Sequence, residues 1–573
     1  MVPNEIGGHT SNTITWPNVE AASLKRFGET LCEQTSIVFV CFDQEQFCAE
    51  MSQPTYSRAE VARHNKRDDL WIIIDDDVYD LTDFGFLHPG GIPPLLDVAG
   101  QDATDLFYGL HRRSVLEEPR FAQLRIGKVE GSSPPIAASV ENVIPYGEAM
   151  GYWRRKSPYY KKSHHDFRAA LREFVDREIR PDAIVDDEEG NYPTQELNEK
   201  MGRFGLLACL VAMEPKSWRW IRAAGISLPG GVKLEEFDFF HNLIMSEELR
   251  RLGTYGLGDG LIAGNGIGLP VIIKFGSEEL CKRIVVDVLL GKERCALAIT
   301  EPYAGSDVAQ IKTSAVRSPD GRSFIVSGVK KWITGGMFAR YFSTLTKTKA
   351  GHTLIVVDRA LGGDNFSTKQ IMTSYSKAAG TSYVTIDAVQ VPITNVIGEE
   401  GRGFMYTMSN FNTERWAMVC AGNRLSRLMV EECFRWALCR RVFSKPLVKQ
   451  PVIRFKLAQM AAEVEAVHSF LEDVTYQMCN TPSEDLHRLA GVIALLKYKQ
   501  TRVAQLVADN ACQIFGGRAL TRSGMGVLIE KFHRSQKMQA ILGGSEEILA
   551  DLAMRQAVKS VGKGEAAKPF SRL

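Results

Sequence analysis

Residues 297–315, LAITEPYAGSDVAQIKTSA, and residues 328–336, GVKKWITGG, decide how this chain is to be read. The first stretch offers Thr300, Gly305 and Ser306 as hydroxyl and backbone donors in a turn, and the second adds Trp332 and Thr334. A large aromatic face with a nearby hydroxyl suits a planar heterocycle that needs one hydrogen bond at a ring nitrogen. Either fragment alone would serve equally as a Trp in a sheet core beside ordinary turn residues. Both lie inside residues 293–398, where Val, Ile, Thr and Gly in short alternating runs predict strands. Helical spacing precedes them, as in FRAALREFVDREI (167–179) and FFHNLIMSEELRRL (239–252), and returns from about 402 to 558. The order is helical, strand-rich, helical.

The 573 residues leave room for several domains, and 45% hydrophobic with 24% charged content is ordinary for a globular protein. A net charge of +1 with no basic stripe argues against a nucleic acid or a membrane surface recruited by bulk charge. Uninterrupted apolar runs such as SIVFVCF (36–42) fall short of the roughly 18 to 20 residues needed to cross a bilayer, so a soluble protein without a transmembrane segment is expected. Eleven scattered cysteines without C-x-x-C indicate neither a zinc site nor a disulfide scaffold, and fit a reducing compartment. Residues 1–54 carry no secretory signal and read as an extension expected to be poorly ordered, with Met51 as an alternative start. Residues 132–160, which open on the GSSPP stretch (131–135), read as a linker. The chain ends in Ser571-Arg572-Leu573 after the polar stretch KGEAAKP, a variant of the Ser-Lys-Leu peroxisomal address.

Between extension and linker, LWIIIDDDVYDLTDF (70–84) predicts two short strands around an Asp-rich turn. FLHPGG (86–91) then places His88 before a turn, and FYGLHRR (107–113) brings His111 23 residues later. Two histidines are what a six-coordinate iron porphyrin needs, and the glycines let backbone pass close to a macrocycle. Taken singly, His88 reads as a turn histidine and His111 as a surface one. Together with GQDATDLF between them, they make residues 55–131 resemble the cytochrome b5 family, which implies haem b with His88 and His111 as iron ligands.

The two opening stretches and their helical flanks resemble the acyl-CoA dehydrogenase family over residues 161–558. The resemblance implies a multidomain α+β chain. The b5-like domain would be followed by a helical domain at 161–292, a β-barrel domain at 293–400, a C-terminal four-helix bundle at 401–558 and a tail at 559–573. It also implies FAD, held by Leu297, Ile299, Thr300, Gly305, Ser306, Trp332, Thr334, Ser545 and Glu547. Arg440 and Phe443 in CRRVFSKP, with Gln513, Gly516 and Gly517 in QIFGG, would reach the FAD of a neighbouring subunit, implying a homodimer or homotetramer.

AILGGSEEILADLAMRQA (540–557) puts Gly543, Gly544 and Ser545 before a run of helical spacing, so bare N–H groups would face an anion or a polarised carbonyl. Many members of the family carry the catalytic glutamate where this chain has Gly543. The branch acting on long and branched acyl chains has glycine or alanine there and takes its base from another helix, one residue before an arginine. NFNTERWAMVCAG (410–422) sets Glu414 directly before Arg415, and Arg415 lies 25 residues before Arg440, as that register requires. Glu414 is therefore the expected base, and Ser306, Arg415, Gly543 and Gly544 the expected substrate contacts. Read without the resemblance, Glu414 would be a first-turn glutamate stabilising a helix dipole.

The activity implied is FAD-dependent introduction of a trans-2,3 double bond into an acyl-CoA. Electrons would leave to the attached haem, an electron-transfer flavoprotein or oxygen. The alternatives are a peroxisomal acyl-CoA oxidase, against which stands the lack of the long C-terminal domain usual there, and a non-enzymatic flavin and haem scaffold.

Overall fold

The computed structural model describes residues 54–131, 144–149, 156–483 and 485–562. The expected extension up to residue 53, most of the linker and the terminal tripeptide lie outside the described residues. The chain forms two units, residues 1–103 with 119–132 and residues 104–118 with 133–573.

In the first unit, strands β1 (Thr55–Tyr56), β2 (Asn65–Lys66), β3 (Asp69–Ile74), β4 (Asp77–Asp80) and β5 (Arg125–Val129) form one sheet in the order β1-β5-β4-β3-β2. The expected hairpin is present: β3 pairs with β4 from Trp71↔Asp80 to Ile74↔Asp77. Asp75 and Asp76 close it at φ 53° and 65°, the left-handed pair of a type I′ turn, which short polar side chains tolerate. Val61, Ile73, Val78 and Val129 make its core.

The second unit is helical at both ends. Helices α1 (Lys162–Phe174), α2 (Arg180–Glu189), α3 (Gln195–Phe204), α4 (Phe239–Arg250), α5 (Gly256–Phe275) and α6 (Glu278–Leu289) precede the strands. By length and composition α5 is apolar enough to cross a membrane, which the count of uninterrupted apolar runs missed because glycines interrupt it. Two-thirds of that segment is buried, and the glycines explain why. A Cβ at Gly264 would stand 2.6 Å from the Cys295 carbonyl oxygen, and one at Gly268 would stand 2.8 Å from the Ala296 carbonyl carbon. The helix is an interior one, pressed onto backbone that any side chain would displace.

Strands β6 (Cys295–Ala298), β7 (Ser314–Arg317), β8 (Ser323–Ile333), β9 (Tyr341–Thr348), β10 (Gly351–Asp358), β11 (Phe366–Gln370) and β12 (Ser382–Pro392) form one sheet in the order β10-β9-β7-β8-β12-β11, with β6 beside β9. The path is open, so the expected β-barrel is corrected to a sheet ending at β10 and β11. Helix α5 packs along β6, and helix α7 (Gly403–Cys439) packs along β10, where a closed barrel would need further strand pairing. With α7, the long helices α8 (Pro451–Cys479), α9 (Ala490–Phe515) and α11 (Glu546–Gly562), together with α10 (Val527–Ser535), make the C-terminal helical domain. Fully buried Trp416 and Trp436 of α7 sit in its core.

Candidate active site

The strand-rich stretch that opened the sequence reading folds on a buried ion pair. Lys330 Nζ donates to Glu301 Oε1 at 2.9 Å, to the Ile299 carbonyl at 3.0 Å and to the Leu345 carbonyl at 2.7 Å. Thr313 donates to the same carboxylate through its N–H and its hydroxyl, and the Lys312 N–H donates to its second oxygen. Burial alone would raise the Glu301 carboxyl, but the lysine and these donors outweigh it and hold its pKa below the ordinary value. Burial pushes the Lys330 ammonium down to about 8. The pair ties Ile299 and Thr300 to the strand that carries Trp332, and the Lys331 N–H donates to the Thr300 carbonyl at 2.8 Å.

Between the Ser382↔Ile333 and Val384↔Lys330 pairs, Tyr383 faces two residues, Lys331 and Trp332. That bulge puts Trp332 at φ 65° and leaves its indole 51% exposed instead of in a sheet core. Such strain and exposure in so large an aromatic fit the cradle of a planar ligand. Leu297, Ile299, Thr300, Trp332 and Thr334 thus come together, with Gly305 and Ser306 exposed in the turn that follows Thr300. This donor set, an open indole beside hydroxyls and free backbone, fits a flavin.

Glu414 comes from α7, which packs against α5. Gly264 of α5 is close enough to the Thr334 carbonyl that a Cβ there would lie 3.6 Å from it. Three residues on, about 4.5 Å along the helix axis, the Ile267 carbonyl accepts from Asn410 Nδ2 at 3.4 Å. The same amide donates to Glu414 Oε1 at 2.5 Å, from one turn earlier in α7. Because α7 starts at Gly403, Glu414 stands well inside the helix, which removes the first-turn dipole reading. Burial pushes its carboxyl up to about 7, against the opposing pull of the Asn410 hydrogen bond and the Arg415 charge. A carboxyl poised there can accept a proton from carbon at neutral pH.

Arg415 Nε donates to the Gly543 carbonyl at 3.0 Å, which brings the 542–545 turn to the same place. The N–H groups of Gly543, Gly544 and Ser545 find no acceptor among the described residues, and α11 begins immediately after them. Gly543 lies at φ 65°, and a Cβ on it would meet Met418 Sδ at 2.7 Å. A glutamate transplanted to this position would meet both obstacles. Glu547 is exposed and joins no recorded contact, whereas its neighbour Glu546 is buried and accepts from Thr501, Arg502 and Lys537.

Of the residues expected to serve a neighbouring subunit, all but the half-buried Arg440 are exposed. Phe443 sits 90% exposed at φ 49° in the hairpin between β13 (Arg441–Val442) and β14 (Lys445–Pro446), and Arg440 stacks on Trp436. Gln513, Gly516 and Gly517 are exposed at the end of α9. No recorded hydrogen bond or ring contact joins these five to Thr300, Trp332 or Thr334 within the chain.

In the first unit, His88 Nδ1 lies 2.8 Å from the Gly91 carbonyl, so Nδ1 carries the proton and Nε2 the lone pair, the tautomer a metal ligand requires. A Cβ at Gly90 would lie 2.9 Å from the His88 ring, so the turn needs glycine. These features fit a haem ligand. His111 follows the helix Thr104–Tyr108 in the 104–118 segment of the other unit, its ring 5.0 Å from Phe107.

Sequence reasoning missed Asn410, Lys497 and the Lys330–Glu301 pair. Lys330 precedes Trp332 by two residues and Glu301 follows Thr300, so proximity in sequence was a usable signal for that pair. Nothing in the sequence marked Asn410 or Lys497. A trio of His164, Asp238 and His241 lies close enough to hold a metal. However, His164 Nδ1 accepts the Lys161 N–H and its Nε2 donates to Asp238, which itself caps α4, so the trio serves helix capping.

Family models described as acyl-CoA dehydrogenase N-terminal, middle and C-terminal domains match residues 161–216, 296–389 and 401–558, and a cytochrome b5-like heme/steroid binding domain matches 57–130. The chain is similar to acyl-CoA dehydrogenase apdG of Emericella nidulans, 38% identical over 73% of this chain and 95% of that one. It is also similar to the long-chain specific mitochondrial acyl-CoA dehydrogenase of Sus scrofa, 26% identical over 70% and 87%. Among solved structures, an acyl-CoA dehydrogenase from Geobacillus kaustophilus matches with TM-score 0.61 and 27% identity over 70% of this chain and 99% of that one. The strand-rich core, its helical flanks and the domain ahead of them together place this chain in the acyl-CoA dehydrogenase family, joined to a cytochrome b5-like domain.

Proposed function

We propose that the protein is an FAD-dependent acyl-CoA dehydrogenase in which Glu414 is the base and the attached haem b receives the electrons from the reduced flavin one at a time. The observation that carries this reading is Glu414 itself: a carboxyl raised to about 7, one helix turn from its Asn410 donor and joined through Arg415 to a glycine turn with unpaired N–H groups. FAD, when bound, supplies the hydride acceptor. The chain's own residues do the rest. Gly543, Gly544 and Ser545 offer N–H groups to the thioester oxygen, where negative charge grows as the α-proton leaves. Glu414 takes that proton on a carboxylate oxygen, and the packing that raises its pKa keeps water from competing. Trp332 and Thr334 orient the flavin, and the outward Phe443 hairpin supports a homo-oligomer in which one subunit completes the cofactor site of another. The terminal Ser571-Arg572-Leu573 supports peroxisomal import.

Anaerobic mixing with a panel of acyl-CoA thioesters tests the reading. Flavin bleaching followed by haem reduction is expected. Bleaching with an unreduced haem, and with oxygen consumed to equimolar peroxide when air is admitted, would replace the haem by oxygen as acceptor. No bleaching with any thioester would overturn the activity.

A further inference from the structure

Lys497 projects from α9 beneath the 542–545 turn and is 1% exposed. Its ammonium donates to the Leu542 carbonyl at 2.5 Å and the Gly544 carbonyl at 2.9 Å. Arg415 holds the carbonyl between them, that of Gly543, at 3.0 Å. Two cations therefore bind three consecutive carbonyls. In a planar trans peptide the carbonyl and the next residue's N–H point in opposite directions. Fixing the Leu542 and Gly544 carbonyls on Lys497 turns the N–H groups of Gly543 and Ser545 away from it, and those N–H groups have no acceptor among the described residues.

An ammonium is a costly way to fill that space. Burial, helped by the Arg415 charge and opposed by Glu546, pushes it down to about 7. A methionine would fill the same volume without that penalty. What methionine could not do is pull on two carbonyls at once, and a donor on the oxygen of a peptide strengthens the N–H at its other end.

We propose that Lys497 is the positioning residue of the thioester site: it aims and polarises the backbone N–H groups that hold the thioester oxygen. The inference rests on reading this turn as the thioester site. Its location explains why a lysine two helices from the base in sequence matters to chemistry it does not touch.

The test uses the FAD-loaded, full-length protein and a trans-2-enoyl-CoA labelled with 13C at the carbonyl, of the chain length that bleaches the wild type fastest. The carbonyl stretch of the bound thioester reports hydrogen bonding to its oxygen directly. In the wild type the band is expected below its solution frequency. The downshift should shrink in the order K497R, K497Q, K497M. Anaerobic bleaching by the matching acyl-CoA should slow by about tenfold or more in K497M, below the loss of about a hundredfold for deleting an oxyanion donor outright, because the donors remain and only their aim changes. KM should move far less than kcat. If K497M does not accumulate as flavin-bound protein, K497Q decides: a reduced downshift supports the role and a wild-type band overturns it. A wild-type band in a folded K497M overturns it as well. A wild type that binds the probe without shifting its carbonyl would instead fell the thioester reading, and this inference with it.

Discussion

Replacing Glu414 by glutamine separates catalysis from stability. The side chain keeps its shape and its ability to accept from Asn410, but it cannot take a proton. Bleaching of the flavin by acyl-CoA should fall by about a hundred- to ten-thousandfold, the range for general-base catalysis. FAD and haem content should be unchanged. Stability should move the other way. Folded Glu414 titrates at about 7 instead of 4.5. Below about pH 4.5 the group is protonated whether the chain is folded or not, and no penalty exists; between about 4.5 and 7 the unfolded chain ionises it while the folded protein still holds the proton, so the penalty grows across that window and is complete above about 7. At about 1.4 kcal/mol per pH unit the penalty reaches ~3 kcal/mol as an upper limit, reduced by whatever water reaches the side chain. The assay is a pair of thermal unfolding scans at about pH 5 and about pH 8, beside stopped-flow bleaching. The variant should gain in Tm over the wild type at the higher pH and much less at the lower, since most of the penalty develops between those two pH values. Wild-type bleaching in the variant would refute the assignment of the base. The same Tm difference at both pH values would refute the account of its environment.

Asn410→Ala removes the donor that resists the burial of Glu414, so the carboxyl should titrate higher. Since the base must be ionised, the acid limb of kcat/KM should move up by about one pH unit, the equivalent of a hydrogen bond to a charged group; an unmoved limb would deny Asn410 this role. Gly543→Ala places a Cβ in a left-handed backbone 2.7 Å from Met418 Sδ, which should cost about 1–2 kcal/mol and slow bleaching, read by unfolding scans and stopped flow; an unaltered variant would mean that the turn is not under this constraint. His88→Ala should abolish the low-spin b-type haem spectrum while FAD binding persists, and His111→Ala should do the same; full haem retention in both would remove the ligand assignment.

The haem and flavin stretches were legible because each is local. A turn of Pro-Gly-Gly after His88, an Asp-Asp hairpin turn, and a Trp two residues from a Thr all act within a few positions, where sequence spacing and spatial spacing coincide. The alternation of helical and strand periodicity likewise gave the order of the segments. Which strands pair with which was not legible, because pairing joins segments distant in sequence. The apolar length of α5 was not read either: its glycines, which break the apolar run, are what let it pass against β6.

The sequence named Glu414 through a register shared with a family, and it presented Gly543 as a site that had lost its carboxylate. It could not say why a carboxylate at 414 should take a proton. That property comes from desolvation between α5 and α7, held in check by an asparagine one turn away and by the charge of Arg415, all of which exist only once the chain is packed. Nor could it show that Lys497 and Arg415 share three carbonyls of one turn. Hydrogen-bond direction and dielectric are properties of the closed interior, and residues some 45 to 130 positions apart acquire them together only when the helices that carry them meet.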